Sequence, residues 1–227
     1  MRYLLTVEDC YLVGVLLGDG YIAHYDHGGY RVGLHVRSKV FADEFLAALN
    51  TLRKHRVRLL QYKTSPSIRA YKRNIKTDYY VEWHGKKVYL YFSRIIERFK
   101  LNWHNKRIGK NRLFAFLKGL FDSEGTCYYA SKWNIVRLTT VNTNEDVVTL
   151  ASAILTHLGF NPRVYYFSHK NPKYKVRYSI VIAKRKEIKR FIQWARPLKS
   201  KRPRSSILPQ LNSLGQKRNG FQFLSNI

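Results

Sequence analysis

Two short stretches carry the residues best suited to chemistry. Residues 11–20 read YLVGVLLGDG and residues 116–125 read FLKGLFDSEG. Aligned, Leu12 matches Leu117, Gly14 matches Gly119, Asp19 matches Glu124 and Gly20 matches Gly125. Each stretch reads as a helix with a carboxylate at its last turn or C-cap. A carboxylate there meets the negative end of the helix dipole, at a cost of about 0.3–1 kcal/mol. Gly14 and Gly18 share one helix face, and Gly119 and Ser123 hold the same places in the second copy. Small residues four apart let two helix backbones approach closely. If the helices pair about a pseudo-two-fold axis, Asp19 and Glu124 face each other. Like charges held together raise one pKa unless a cation intervenes. The economical use of such an arrangement is to hold Mg2+, a hard ion that takes oxygen ligands and keeps several waters. A phosphate would complete the shell. One ion then activates a water while another stabilises a leaving oxygen. A single Gly-Asp-Gly after an apolar run is usually a helix stop and a turn. Two copies at domain spacing argue for more.

The residues C-terminal to each stretch repeat too. Residues 21–36 and 126–141 read as hairpins, around His27-Gly28-Gly29 and Ser131-Lys132-Trp133-Asn134. Helical patterns come next. The first places Phe41, Phe45, Leu46 and Leu49 on one face. The second places Val147, Leu150, Ala151, Ile154 and Leu158 there, with Thr143 or Asn144 as cap and Gly159 as stop. Further strands are expected near 56–63, 76–84 and 87–92 in the first half, and near 162–167 and 175–183 in the second. Helices near 93–100 and 184–195 close the halves. The fold class is α+β: a pseudo-two-fold pair of αββαββα half-domains with antiparallel sheets. The expected division is 1–101, a linker at 102–110, a second half at 111–196 and a basic tail at 197–227. Phe221, Phe223 and Leu224 pin the tail's end, or the tail is a DNA-contacting arm or a loosely ordered end.

Charge identifies the partner class. Forty-two Lys and Arg stand against fourteen Asp and Glu, a formal net charge of +28. A polyanion relieves that self-repulsion. No apolar run reaches the about 18 residues of a membrane span. Glu8 and Asp9 interrupt the N-terminal apolar stretch, so it reads as mature structure and not as a secretion signal. An intracellular setting is expected, with prokaryotic cytoplasm and organelle both open. Cys10 and Cys127 fit neither a metal-ligand spacing nor a disulfide framework, and the eight histidines form no zinc motif.

The paired stretches resemble those of the LAGLIDADG homing endonucleases, in the monomeric form with two motifs. The resemblance covers residues 8 to about 195 and rests on both motifs, their spacing and the order of strands and helices. It implies that the motif helices pack between the half-domains and that two antiparallel sheets form a saddle in the DNA major groove. It implies that Asp19 and Glu124 hold two or three divalent ions: Mg2+, with Mn2+ as a substitute and Ca2+ as an ion that binds without supporting efficient cleavage. It also implies cutting of both strands across the minor groove, by a free-standing, intron-encoded enzyme. Asp122 matches an acidic position that faces away from the metals or serves packing; the first copy has Leu17 there. A basic residue near the metals falls on Arg37 in the first half, whereas the second half has Asn142. A lysine shortly after the second motif in some members corresponds to Cys127.

The strand patterns suit a DNA surface on their own account. Arg31, Gly33, His35 and Arg37 share a face, as do Lys76, Asp78, Tyr80, Glu82 and His84. In the second half Arg137 and Thr139 share one, and Lys175, Arg177 and Ser179 another, with Arg163 on the strand before. Arg and Lys pair with guanine, while Asp and Glu accept from cytosine. The basic run holding Lys63, Arg69, Lys72, Arg73 and Lys76, and the hairpin-tip Lys132, suit phosphate contacts, which position without specifying. The rival readings are an intron-RNA maturase and a DNA-binding protein of the same fold that does not cut.

Overall fold

The computed structural model describes residues 4–26, 29–52, 59–64, 76–130, 135–168, 171 and 173–198. Residues 59–64, 76–77 and 129–130 are described for their backbone alone. The hairpin tips at 27–28 and 131–134, the basic run at 65–75 and the tail beyond 198 lie outside the described residues.

The first half runs α1 (Val7–Leu16), β1 (Gly20–His24), β2 (Tyr30–Val36), α2 (Lys39–Thr51), β3 (Leu59–Thr64), β4 (Lys76–His84) and α3 (Lys86–Asn102). The second repeats the order with α4 (Lys110–Glu124), β5 (Gly125–Ala130), β6 (Ile135–Asn142), α5 (Glu145–His157), β7 (Arg163–Phe167), β8 (Arg177–Ile182) and α6 (Arg185–Ala195). The sheets are β1-β2-β4-β3 and β5-β6-β8-β7, antiparallel throughout. The αββαββα order stands in both halves.

Local chemistry explains the boundaries. Thr6 and Asp9 form a capping box that starts α1: Asp9 N–H donates to Thr6 Oγ1 (3.0 Å) and Thr6 N–H to Asp9 Oδ2 (2.9 Å). Ser38 caps α2, and Asn144, not Thr143, caps α5. Gly159, at φ 78°, stands just past the end of α5 in the left-handed region that favours glycine. One expected strand is helical. Residues 87–92 belong to α3 and not to a strand, and the helix begins at Lys86. Its apolar alternation over six residues suggested a strand. Over the whole element Val88, Phe92, Ile95, Ile96 and Phe99 fall on one buried helical face, and that longer period decides.

Helix α1 is buried from Asp9 to Leu16, on all sides, as expected of a helix apolar all round. It packs most extensively on α4 and also touches α2 and α3. Phenylalanines continue the core between the halves: Phe99 of α3 packs at a tilt on Phe116 of α4, ring centroids 4.6 Å apart. Burial pushes the Cys10 thiol up to about 12 and the Cys127 thiol up to about 11, so neither supplies a thiolate near neutral pH. Among the described residues no helix is long and apolar enough to cross a membrane.

Candidate metal and nucleic-acid site

The site begins with contact between two backbones. A Cβ on Gly14 would stand 2.1 Å from the carbonyl oxygen of Phe116, and one on Gly119 would stand 2.2 Å from that of Tyr11. Only glycine fits either place. One turn further, a Cβ on Gly18 would meet the Ser123 Cβ at 2.5 Å and the Glu124 Cγ at 3.5 Å. The Glu124 side chain therefore lies against the residue that precedes Asp19. The four small residues singled out by spacing are the ones that let α1 and α4 touch.

The two acids stand differently relative to their helices. Glu124 is the last residue of α4, with Gly125 as C-cap. Asp19 lies two residues beyond Leu17, the C-cap of α1, and so is past the helix end expected for it. Their equivalence lies in the strands: each acid immediately precedes the glycine that opens one, Gly20 of β1 and Gly125 of β5. Both glycines are pressed on their own helix. A Cβ on Gly20 would be 2.9 Å from the Leu16 Cα, and one on Gly125 would be 2.3 Å from the Phe121 oxygen. The same tight helix-to-strand junction thus carries both carboxylates, with Asp19 exposed and Glu124 half-buried.

Asp122 takes a separate role. It is buried and accepts from Lys118 Nζ (2.7 Å) and from the Leu198 N–H (2.5 Å). Lys118 also reaches Glu44 of α2 at 2.9 Å and sits 4.5 Å over the Tyr11 ring. Burial pushes the Asp122 carboxyl up, against the pull of Lys118 and the Leu198 N–H. This cluster ties α4 to α2 across the halves. Only its Lys118–Asp122 step, four apart on one helix, is visible in the sequence.

Among the described residues no group of three or more His, Cys, Asp or Glu gathers to hold a metal. Two carboxylates suit Mg2+ all the same, since that ion is commonly held by one or two carboxylates with waters and substrate phosphates. Asn142, at the end of β6, makes bonds within the protein. Its Nδ2 donates to the Leu17 oxygen at 3.2 Å and its Oδ1 accepts from the Asn144 N–H at 2.8 Å. It thus ties the second sheet to the C-cap before Asp19, a link across 125 residues that sequence spacing does not reveal. Arg37 lies just past β2, largely exposed, with Nε 3.6 Å from Asp78.

Both sheets leave one face open. On the first, β2–β4 register places Arg31 opposite His84, Gly33 opposite Glu82 and His35 opposite Tyr80. The acids of this face have partners within the protein. Glu82 accepts from the Tyr21 hydroxyl and lies 3.3 Å from His84 and 4.0 Å from Arg31. Asp78 is buried beneath His35 and Arg37, each at 3.6 Å. The acids orient basic side chains, which then face outward. On the second sheet Arg137, Arg163 and Arg177 are exposed on the open face, and Lys175 is exposed just before β8. Lys63 and Lys76 are placed by backbone only, in β3 and β4. Arg69, Lys72, Arg73 and Lys132 lie outside the described residues.

Residues 111–193 match the family model of the LAGLIDADG-like domain. Homing endonuclease I-DmoI of Desulfurococcus mucosus is 25% identical over 177 residues, which are 75% of this chain and 80% of that one. Residues 111–193 are thus similar to a LAGLIDADG-like domain, and most of the chain is similar to I-DmoI. An uncharacterized protein of Methanocaldococcus jannaschii is 28% identical over 172 residues, 74% of this chain, and the match spans only 60% of that relative's length. Among solved structures, one of mesophilic variants of I-DmoI aligns with a TM-score of 0.59 at 23% identity, covering 85% of this chain and 97% of that one. I-DmoI in complex with DNA and Mn aligns at 0.58 and 23%, covering 83% and 96%. Full-length WhiA of Thermatoga maritima shares the fold at 0.58 and 13%, covering 96% of this chain and 63% of that one. The LAGLIDADG fold thus accounts for both sheets and for the α1–α4 pair.

Proposed function

We propose that this LAGLIDADG protein is a site-specific double-strand DNA endonuclease, acting as a monomer on a long target, with divalent ions held by Asp19 and Glu124. The observation that carries this reading is the meeting of the Glu124 side chain with the Gly18–Asp19 turn at one end of the α1–α4 contact. Asp19 follows Gly18 directly, so both acids belong to the same end of the helix contact, where a divalent cation with oxygen ligands would suit them. Structures of I-DmoI in complex with DNA and Mn, and with DNA and Ca, support divalent ions as the partners. Mg2+ is the proposed working ion. When bound, such ions supply a water of lowered pKa and neutralise charge at the phosphate.

The chain's own residues do the rest. The glycine contact brings the two helix-to-strand junctions that carry the acids to one end of the helix pair. Basic side chains on the two open faces hold and orient the duplex. Asn142 is a positioning residue, steadying the turn that carries Asp19. Asn142→Ala should slow single-turnover cutting up to about tenfold, the kinetic equivalent of one lost hydrogen bond, with DNA affinity unchanged. Unchanged cutting with lowered stability would reduce Asn142 to a structural clamp.

The function itself is tested by incubating the purified full chain with a randomised or genomic DNA library, in Mg2+ and in EDTA. Discrete double-strand breaks that require Mg2+ are expected. Selective retention of DNA without breaks in Mg2+ would overturn the nuclease reading in favour of a binding protein. Retention of intron RNA in preference to DNA would indicate a maturase.

A further inference from the structure

Among the described side chains the two open faces differ in kind; β3, which by register adds Leu60 and Tyr62 to the first, is described by its backbone alone. On the first, polar tips are braced by one another: Tyr21, Arg31 and His84 around Glu82, and His35 stacked on Tyr80 with ring centroids 3.9 Å apart. On the second, register aligns Val141 with Ser179 and Tyr165, and Arg177 with Phe167. Tyr128 stands beside Arg137 on the same face. Phe167 is 59% exposed, Tyr128 50%, Tyr165 42% and Val141 37%. No carboxylate shares this face among the described residues. Large apolar side chains left in water, with arginines between them, match a partner that is anionic yet shows apolar groups at its surface.

Duplex DNA is such a partner. In the major groove the apolar group on display is the C5-methyl of thymine. Resting on the reading of this chain as a DNA-binding protein, we propose that the second sheet recognises thymine methyl groups in its half-site, through Tyr128, Val141, Tyr165 and Phe167. Arg137, Arg163 and Arg177 hold the flanking backbone or guanines. The first sheet reads polar base edges through its braced basic side chains. The two half-sites are therefore selected by different chemistry, although the halves share a fold.

The test starts with the full chain in Ca2+ and a randomised duplex library. The enriched site is resynthesised with deoxyuridine for thymine in one half at a time, which removes only methyl groups. Affinity should fall about fourfold per contacted methyl in one half, and stay unchanged in the other. The double variant Tyr165→Ser, Phe167→Ser should lose that sensitivity and keep its discrimination in the opposite half, which also shows that it is folded. Equal sensitivity in both halves, sensitivity in neither, or sensitivity that survives in the folded double variant would overturn the inference while leaving DNA binding intact. Failure to enrich any duplex would instead overturn the DNA-binding reading on which it rests. Should the double variant not fold, the comparison of the two halves with the wild-type chain decides.

Discussion

Asp19→Asn is expected to slow DNA cleavage by roughly 10²–10³-fold, the scale on which active sites lose rate when one preorganised charge-stabilising group is removed. DNA affinity should be almost unchanged, because the basic side chains on the sheets are untouched. Asp19 is exposed and Asn is nearly isosteric with it, so the fold should tolerate the change, and thermal unfolding of the variant separates lost structure from lost chemistry. Glu124→Gln should behave alike, since the two acids occupy matched junctions. Single-turnover cleavage and DNA binding, measured side by side, separate the outcomes. Undiminished cutting by the Asp19 variant would remove this carboxylate from the chemistry.

Gly14→Ala should destabilise the protein by about 3 kcal/mol or more. Two effects oppose each other. Alanine is favoured over glycine in a helix by about 1 kcal/mol. Against that, the new Cβ would lie 2.1 Å from the Phe116 carbonyl oxygen, a backbone atom that no rotamer change can move. Overpacking a tight core costs about 1–3 kcal/mol and occasionally more, and a backbone-to-backbone clash belongs at the upper end. Total stabilities are only about 5–15 kcal/mol, so the shift in urea midpoint should be large. Gly18→Ala should destabilise as well, because its new Cβ would stand 2.5 Å from the Ser123 Cβ, which is fixed to its own backbone. A neutral Gly14→Ala would mean that α1 and α4 are not in backbone contact.

Much of the fold was legible in the sequence because it repeats. Gly14 with Gly119, Gly18 with Ser123, and Asp19 with Glu124 stand out against unrelated neighbours, and the helix pair can be read from them. Local patterns gave the strands and their faces. The parts that were not legible depend on longer distances or on competition between periods. The start of α3 alternates like a strand for six residues before its helical period tells. Asp78 alternates onto the open face, yet His35 and Arg37 bury it. The bond from Asn142 to Leu17 joins opposite halves and leaves no trace in spacing. A strand near 162–167 was visible, but the place of Tyr165 and Phe167 on the open face needed the register with β8.

The glycine seam has a mechanical consequence. Two helices held apart by long side chains can roll or slide as rotamers change. Two helices in backbone contact have no such slack, and Lys118, Asn142 and the Phe99–Phe116 ring contact fasten the halves further. The pair acts as a stiff axle, and the angle between the sheets is set by the protein. A duplex laid across both must then be the compliant partner. Bending it is easier at pyrimidine–purine steps than within a stiff A-tract. Base pairs lying over the axle would accordingly be chosen for their flexibility, in a stretch that no side chain need touch.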